Sequence, residues 1–304
     1  MQKNLKNFDI ILVRNYEDAI KVDADFTVEA EYGDKRVYGK LETLAHHGDL
    51  SGNPAPCNTN VDIYNGGTIL ISHIDLDTIG GVLALAGEKP NNEKFWEAAE
   101  MIDINGGHHL RDIEDEYIRK QLIAYYAWED ENRWGLQQKA CESSEKALEA
   151  FEDIIDVLNI VLDKNHPEHN KFIEEALIKD KELFEEAESK LEYEDEYVRG
   201  FVSDGVDCCS HYYSPSEEEY IPATVVFYET GPNIVVGFAN GGDFDNGHLS
   251  AREIVQELWG PEAGGRDGIA GSPRGQAMTL EDYENAKNLV IDKIRELEPI
   301  EFGD

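Results

Sequence analysis

The chain has 304 residues, enough for two domains that each enclose a core. It carries 27 lysines and arginines against 64 aspartates and glutamates, a net charge of -37. That balance opposes long nucleic acid, which is bound through its phosphates, and reads first as a solvated surface. No apolar run approaches the roughly 20 residues of a membrane helix, so no membrane partner is expected. Residues 1–7 lack the apolar core of a signal peptide. Cys57, Cys141, Cys208 and Cys209 show neither zinc-ribbon spacing nor disulfide density, so a reducing, cytoplasmic compartment is the expectation.

Residues 8–13 predict an apolar strand. Phe26, Val28, Ala30 and Tyr32 alternate with polar residues, Gly33-Asp34 supplies a turn, and residues 37–44 return, which predicts a hairpin. The return leads to Leu44-Ala45-His46-His47-Gly48-Asp49 and a loop through Asn65. Thr68-Ile69-Leu70-Ile71 has the pattern of a strand covered on both faces. His73-Ile74-Asp75-Leu76-Asp77 stands where that strand runs out, and Thr78-Ile79-Gly80-Gly81 leads into a buried helix. Helical sequence runs on to about Ile104 and is broken by Asp103-Ile104-Asn105-Gly106-Gly107-His108-His109.

Residues 111–197 are predominantly helical and very acidic. Leu148, Phe151, Ile155, Leu158 and Leu162, then Ile173, Leu177, Phe184 and Leu191, fall at heptad-like spacing on either side of His166-Pro167. An antiparallel helical pair joined on an apolar seam is expected. Residues 223–228 and 234–238 form a hairpin, and Ser250-Ala251-Arg252-Glu253 is a capping box that opens a short helix. A glycine-rich loop from Gly264 to Gly275 precedes a final amphipathic helix capped by Thr279. The expected fold is α/β. A metal-binding α/β domain with a mainly parallel sheet covers 1–110, an acidic helical region that completes or links the domains covers 111–199, and a smaller α+β substrate-binding domain covers 200–304.

Strand, acidic turn, helix is the arrangement in which open α/β sheets place ligands, at the carboxyl ends of their strands. Carboxylates crowded there repel one another unless a cation lies between them. The metal-ligand candidates are His46, His47, His73, Asp75, Asp77, Asp103, His108 and His109, with Asp49 close by, and they include five of the nine histidines. At least one His-His pair is expected within reach of Asp75 and Asp77, with His46 and His47 preferred. Mixed nitrogen and oxygen donors suit Mn2+ first, with Zn2+, Fe2+ or Mg2+ as alternatives. Asp75, Asp77, His47 and His108 are the catalytic candidates. Gly264, Gly265, Arg266, Ser272 and Arg274 are expected to hold a substrate anion through backbone N–H groups and guanidinium forks. Cys208-Cys209-Ser210-His211 has the composition of a nucleophile cluster, although a buried cysteine pair is the commoner outcome.

The stretch His73-Ile74-Asp75-Leu76-Asp77-Thr78-Ile79-Gly80-Gly81 resembles the first motif of the DHH phosphoesterase superfamily, a strand ending in His-x-Asp-x-Asp before a small-residue turn. The order hairpin, short helix, Gly264-Gly265-Arg266-Asp267-Gly268-Ile269-Ala270-Gly271, final helix resembles the DHH-associated substrate-binding domain. Neither Ala45-His46-His47 nor Gly107-His108-His109 has the family's leading aspartate, and Arg266 stands where the family has histidine. The resemblance implies two-metal hydrolysis of a small anionic phosphate substrate, such as a short oligonucleotide, cyclic dinucleotide or nucleotide, with a homodimer as a compatible assembly. A non-catalytic nucleotide-binding or sequestering relative is the alternative. An aminoacyl-ester editing hydrolase ranks lower, since no His-x-x-x-His occurs.

Overall fold

The computed structural model describes residues 4–297. Residues 1–3 of the segment read for a signal peptide, and residues 298–304 of the carboxy-terminal domain, lie outside the described residues. The protein is a mixed α/β structure in two units, Met1–Asp180 and Lys181–Asp304. Among the described residues no helix is long and apolar enough to cross a membrane.

In the first unit β1 (Phe8–Leu12), β2 (Phe26–Val28), β3 (Glu42–Leu44) and β4 (Gly67–Ile71) form a wholly parallel sheet in the order β1-β4-β2-β3. The register sets Leu12 beside Ile71, Ile71 beside Val28, and Val28 beside Leu44, so all four strands end on one line. Ile69 and Ile71 enter the main core while Leu70 joins a smaller cluster with Ala19, Ala24 and Ala30. Both faces are covered, which is why this strand is apolar without alternation.

The expected hairpin over residues 26–44 is corrected. β2 and β3 run parallel, and the antiparallel turn is confined to Glu31–Tyr32 and Lys35–Arg36. Alternation with period two does not distinguish the two pairings. Glu29 ends β2 by taking φ +45°, a left-handed conformation costly for a side-chain-bearing residue.

Five longer helices follow: α1 (Leu76–Ala86), α2 (Glu93–Asn105), α3 (Glu116–Ala140), α4 (Ser144–Leu162) and α5 (His169–Glu188). The principal helical pair is α3 with α4, joined through Cys141-Glu142-Ser143, rather than two helices flanking His166-Pro167. Phe151, Ile155 and Leu158 do face the core, alongside Leu122 and Tyr125, and α4 also packs on β1. Of the two alternatives for the acidic helices, α3 and α4 complete the first unit. The boundary between the units falls inside α5, and Leu191, expected on a helix, opens a strand. Glu192 and Glu194 look helical in sequence, yet on this edge strand Glu192 is exposed and Glu194 pairs with Arg199.

The second unit holds β5 (Leu191–Glu194), β6 (Val198–Ser203), β7 (Ala223–Tyr228), β8 (Asn233–Phe238), β9 (Gly264–Gly265) and β10 (Ile269–Gly271), in the order β9-β10-β8-β7-β6-β5. The hairpin of β7 and β8 matches the expectation. Helices α6 (Ala251–Trp259) and α7 (Leu280–Leu297) bury Val255, Val290 and Ile294 with Val225 and Val236 of the sheet. Ser250 caps α6 by accepting from the Glu253 N–H, as its capping box predicts.

The Gly80-Gly81 pair of α1 has a steric origin. A Cβ on Gly80 would lie 2.6 Å from Cα of Cys57, and one on Gly81 would lie 2.8 Å from Cβ of Pro56. The helix thus presses directly on the turn Pro56–Asn58. Gly80→Ala is expected to destabilise the protein by about 1–3 kcal/mol through overpacking, measured by urea denaturation. Gly135 in α3 meets no atom within 4 Å, so Gly135→Ala serves as the opposite case. It should stabilise by about 0.5–1 kcal/mol through helix propensity.

Candidate metal centre

The line on which the parallel strands end gathers acidic side chains and imidazoles from separate parts of the chain. Glu29 follows β2, His46 and His47 follow β3, and His73, Asp75 and Asp77 follow β4. Asp103 reaches the same place from the last turn of α2. His46 Nε2 lies 3.6 Å from Asp77 Oδ2 and 2.9 Å from Asp103 Oδ2. With its imidazole protonated, His46 forms an ion pair with Asp103, whereas Asp77 Oδ2 is buried with no hydrogen-bond partner. His46, Asp77 and Asp103 offer donor atoms all within 4.8 Å of one another, and Glu29, His46 and His47 form a second such group. Donors that share an ion at about 2 Å each lie at such spacings.

Asp77 is held from one side. Its Oδ1 accepts the Cys57 N–H at 2.7 Å, leaving Oδ2 toward His46. Burial, with Asp103 and Asp75 nearby, raises its carboxyl to about 7 in spite of the Cys57 N–H. Burial also raises Glu29, assisted by Asp77, Glu31 and Asp75, to about 9. Glu29 Oε1 is buried without a hydrogen bond. His46 is opposed by burial, but the carboxylates of Asp103 and Asp77 outweigh it and raise its affinity for a proton.

The other expected ligands sit differently. Asp75 is the N-cap of α1, accepting the Thr78 N–H at 2.8 Å with one oxygen and meeting His73 Nε2 at 2.8 Å with the other. Burial would raise Asp75, but His73 and the Thr78 N–H hold it well below the usual carboxylate range. Of the preferred pair, His46 lies against Asp77, while His47 belongs to the group with Glu29, whose Oε2 lies 3.7 Å from His47 Nε2. Among the described residues His73, His108 and His109 enter neither donor group. His108 and His109 lie in the turn Gly107–Asp112, with His109 paired to Asp112. Asp49 is engaged by Arg36 and Tyr38.

The glycine-rich segment belongs to the second unit and is a hairpin, not an open cradle. Gly264 and Gly265 pair with Gly271 and Ala270, and the Arg266 N–H donates to Ile269 O at 2.7 Å. Ser272 Oγ accepts the Ile234 N–H. Arg266 stands at the turn, whereas Arg274 lies beyond the other end of β10, lining a cavity of about 420 Å³ with Pro232 and Asn233. Arg266 and Arg274 therefore flank opposite ends of β10. The Cys208-Cys209-Ser210-His211 stretch is structural: both thiols are buried, which pushes them up to about 11 and 12, and His211 Nε2 pairs with Glu188.

Sequence reasoning missed Glu29, whose signal is three-dimensional: a left-handed break at the end of β2. It also missed a cavity of about 430 Å³ beside Asp75, Asp77 and Asp103, lined further by Leu76, Ile102, Leu110, Tyr126, Glu129 and Arg133. Arg133 Nη2 pairs with the buried Glu129 at 2.8 Å, one turn away on α3. That helical i,i+4 spacing is visible in sequence, but nothing there ties it to the acidic turn.

No protein-family model and no curated protein matches the chain. Among solved structures it is similar to a crystal structure of an uncharacterized protein from Helicobacter pylori G27, at 14% identity over 67% of this chain and 53% of that chain, with a TM-score of 0.21. The chain spans about half the length of that protein, and a likeness this weak carries no argument.

The titrations predict a pH dependence for the protein with metal chelated away. Glu29 holds a proton in the folded state up to about 9, against an ordinary 4.5 when unfolded. Between those values the folded state binds more protons than the unfolded one, so stability falls as pH rises. Asp77 acts in the same sense between 3.8 and about 7. Urea denaturation from about pH 5 to about pH 9 should show this decline, and Glu29→Gln should flatten its upper part. A wild-type profile that is flat or rises across this range would contradict the assignment.

Proposed function

We propose that the chain is a metal-dependent hydrolase of a small phosphate ester or anhydride, a divergent relative of the DHH phosphoesterases. The observation that carries this reading is the convergence of buried donor atoms from His46, Asp77 and Asp103, Asp77 Oδ2 having no hydrogen bond, beside a cavity of about 430 Å³. A buried carboxylate oxygen without a partner is costly, and one imidazole nitrogen facing two carboxylate oxygens fits a divalent cation. Imidazole with carboxylates favours Mn2+, Zn2+ or Fe2+. Glu29 and His47 share His46 with the first group, which is the support for a two-ion centre.

A divalent ion there supplies Lewis acidity toward phosphoryl oxygens and a lowered pKa for an attacking water. The chain's own residues do the rest. Asp77 presents one oxygen because Cys57 occupies the other. Leu76, Ile102 and Leu110 give the cavity apolar walls, and Arg133 contributes a guanidinium for a substrate anion. A volume of about 430 Å³ admits one small molecule and lies within the roughly 300–1,000 Å³ of ligand pockets. The four free cysteines, three of them buried, support a cytoplasmic setting.

The test is metal content after Mn2+ reconstitution, paired with a phosphatase and phosphodiesterase panel. Wild type should retain one to two ions, and Asp77→Asn should lose at least about tenfold in metal affinity together with hydrolysis. Asp75→Asn should keep the cap of α1 but lose the charge-assisted pairing with His73, lowering stability by about 1.5–3 kcal/mol. A wild type that takes up no divalent metal, or an Asp77→Asn variant that binds it unchanged, would refute the proposal.

A further inference from the structure

Asp77 owes its orientation to a backbone amide, and that amide is itself fastened from three directions. Ala55 and Cys57, in and next to the turn Pro56–Asn58, are fully buried. Glu100 on α2 accepts the Ala55 N–H with Oε1 and the Asn58 side-chain N–H with Oε2, each at 2.7 Å. Lys89 Nζ donates to the Cys57 carbonyl at 2.9 Å. Gly80 of α1 leaves the space in which Cys57 sits. Glu100 lies one turn before Asp103, so α2 delivers one donor of the centre directly and governs a second through the turn.

The geometry points to Glu100 as a positioning residue for the metal centre, with Lys89 as its auxiliary, both acting on Asp77 through the Cys57 peptide. This inference rests on the metal reading above. Without the anchor the turn can withdraw its N–H. Asp77 is then free to rotate or to be protonated, and its Oδ2 no longer points at His46. Groups that orient metal ligands in this way typically govern affinity by about 10- to 100-fold.

Any lost hydrogen bond lowers stability, so the test needs a matched control. Glu88 supplies one: its Oε1 accepts two backbone N–H groups, of Asn4 and Leu5, in the same unit. Mn2+ affinity is measured by competition with a chromophoric chelator, and Tm is measured on the metal-free full chain. Glu100→Ala should raise the Mn2+ Kd by about 10- to 100-fold, and Glu100→Gln, which keeps an acceptor for Ala55, should recover part of it. Glu88→Ala should lower Tm yet leave the Mn2+ Kd unchanged. Should Glu100→Ala fail to fold, Lys89→Met reads the same turn and should weaken Mn2+ binding while lowering Tm no more than Glu88→Ala does. Wild-type affinity in the Glu100 or Lys89 variants, or equal losses in Glu88→Ala, would overturn the positioning role while leaving the metal centre standing. A wild type that binds no Mn2+ would overturn both.

Discussion

Everything in the first unit is arranged around one electrostatic constraint: carboxylates collected where parallel strands end, with too little positive charge of the chain's own to neutralise them. A parallel sheet brings all its carboxyl ends to one edge, so residues far apart in sequence meet there whether or not they attract. Glu29, Asp75, Asp77 and Asp103 meet in this way, against His46, His47 and His73. The chain answers part of the repulsion locally. Asp75 is stabilised by the start of α1 and by His73, while Glu29 and Asp77 are pushed toward their protonated forms.

The second unit shows how the same chain treats buried charge when no ligand is involved. Arg199 on β6 is fully buried, and its guanidinium reaches Glu188 at 2.8 Å, Glu194 at 2.6 Å and the His211 carbonyl at 3.0 Å. Glu194 is steadied in turn by Ser214 and Ser216. This is the ordinary solution for an interior ion, with hydrogen bonds filled from several elements. At the edge of the first unit Asp77 Oδ2 and Glu29 Oε1 are buried without a hydrogen bond. On the metal reading proposed above, these are the oxygens a divalent ion would engage.

Much of this was legible in the sequence, and what was not has a physical reason. The buried run of β4 and the acidic turn follow from local patterns, because a strand covered on both faces and a helix start each leave a signature within a few residues, whereas Asp75, expected as a ligand, proves to be the cap of α1. The convergence of His46 on Asp77 was readable by analogy between two strand ends. The pairing of β2 with β3 was not, because alternation is blind to strand direction. Glu29 escaped notice because its left-handed backbone, not its neighbours, turns it inward. The grip of Cys57 on Asp77 was invisible in principle, since a backbone amide has no residue type to recognise. In the second unit a glycine-rich stretch suggested an anion loop, but glycine serves close strand approach as readily: a Cβ on Gly265 would lie 2.4 Å from Ala270 Cα.

The central claim is that His46 and Asp77 bind a divalent metal at this edge. It is tested most directly by pulsed electron paramagnetic resonance of the full chain loaded with Mn2+. The account predicts nitrogen coupling from coordinated imidazole that disappears in the double variant His46→Gln/His47→Gln and persists in His108→Gln, whose parent residue lies outside both donor groups. Coupling that survives the double variant, or vanishes with His108→Gln, would place the ion elsewhere and contradict the account.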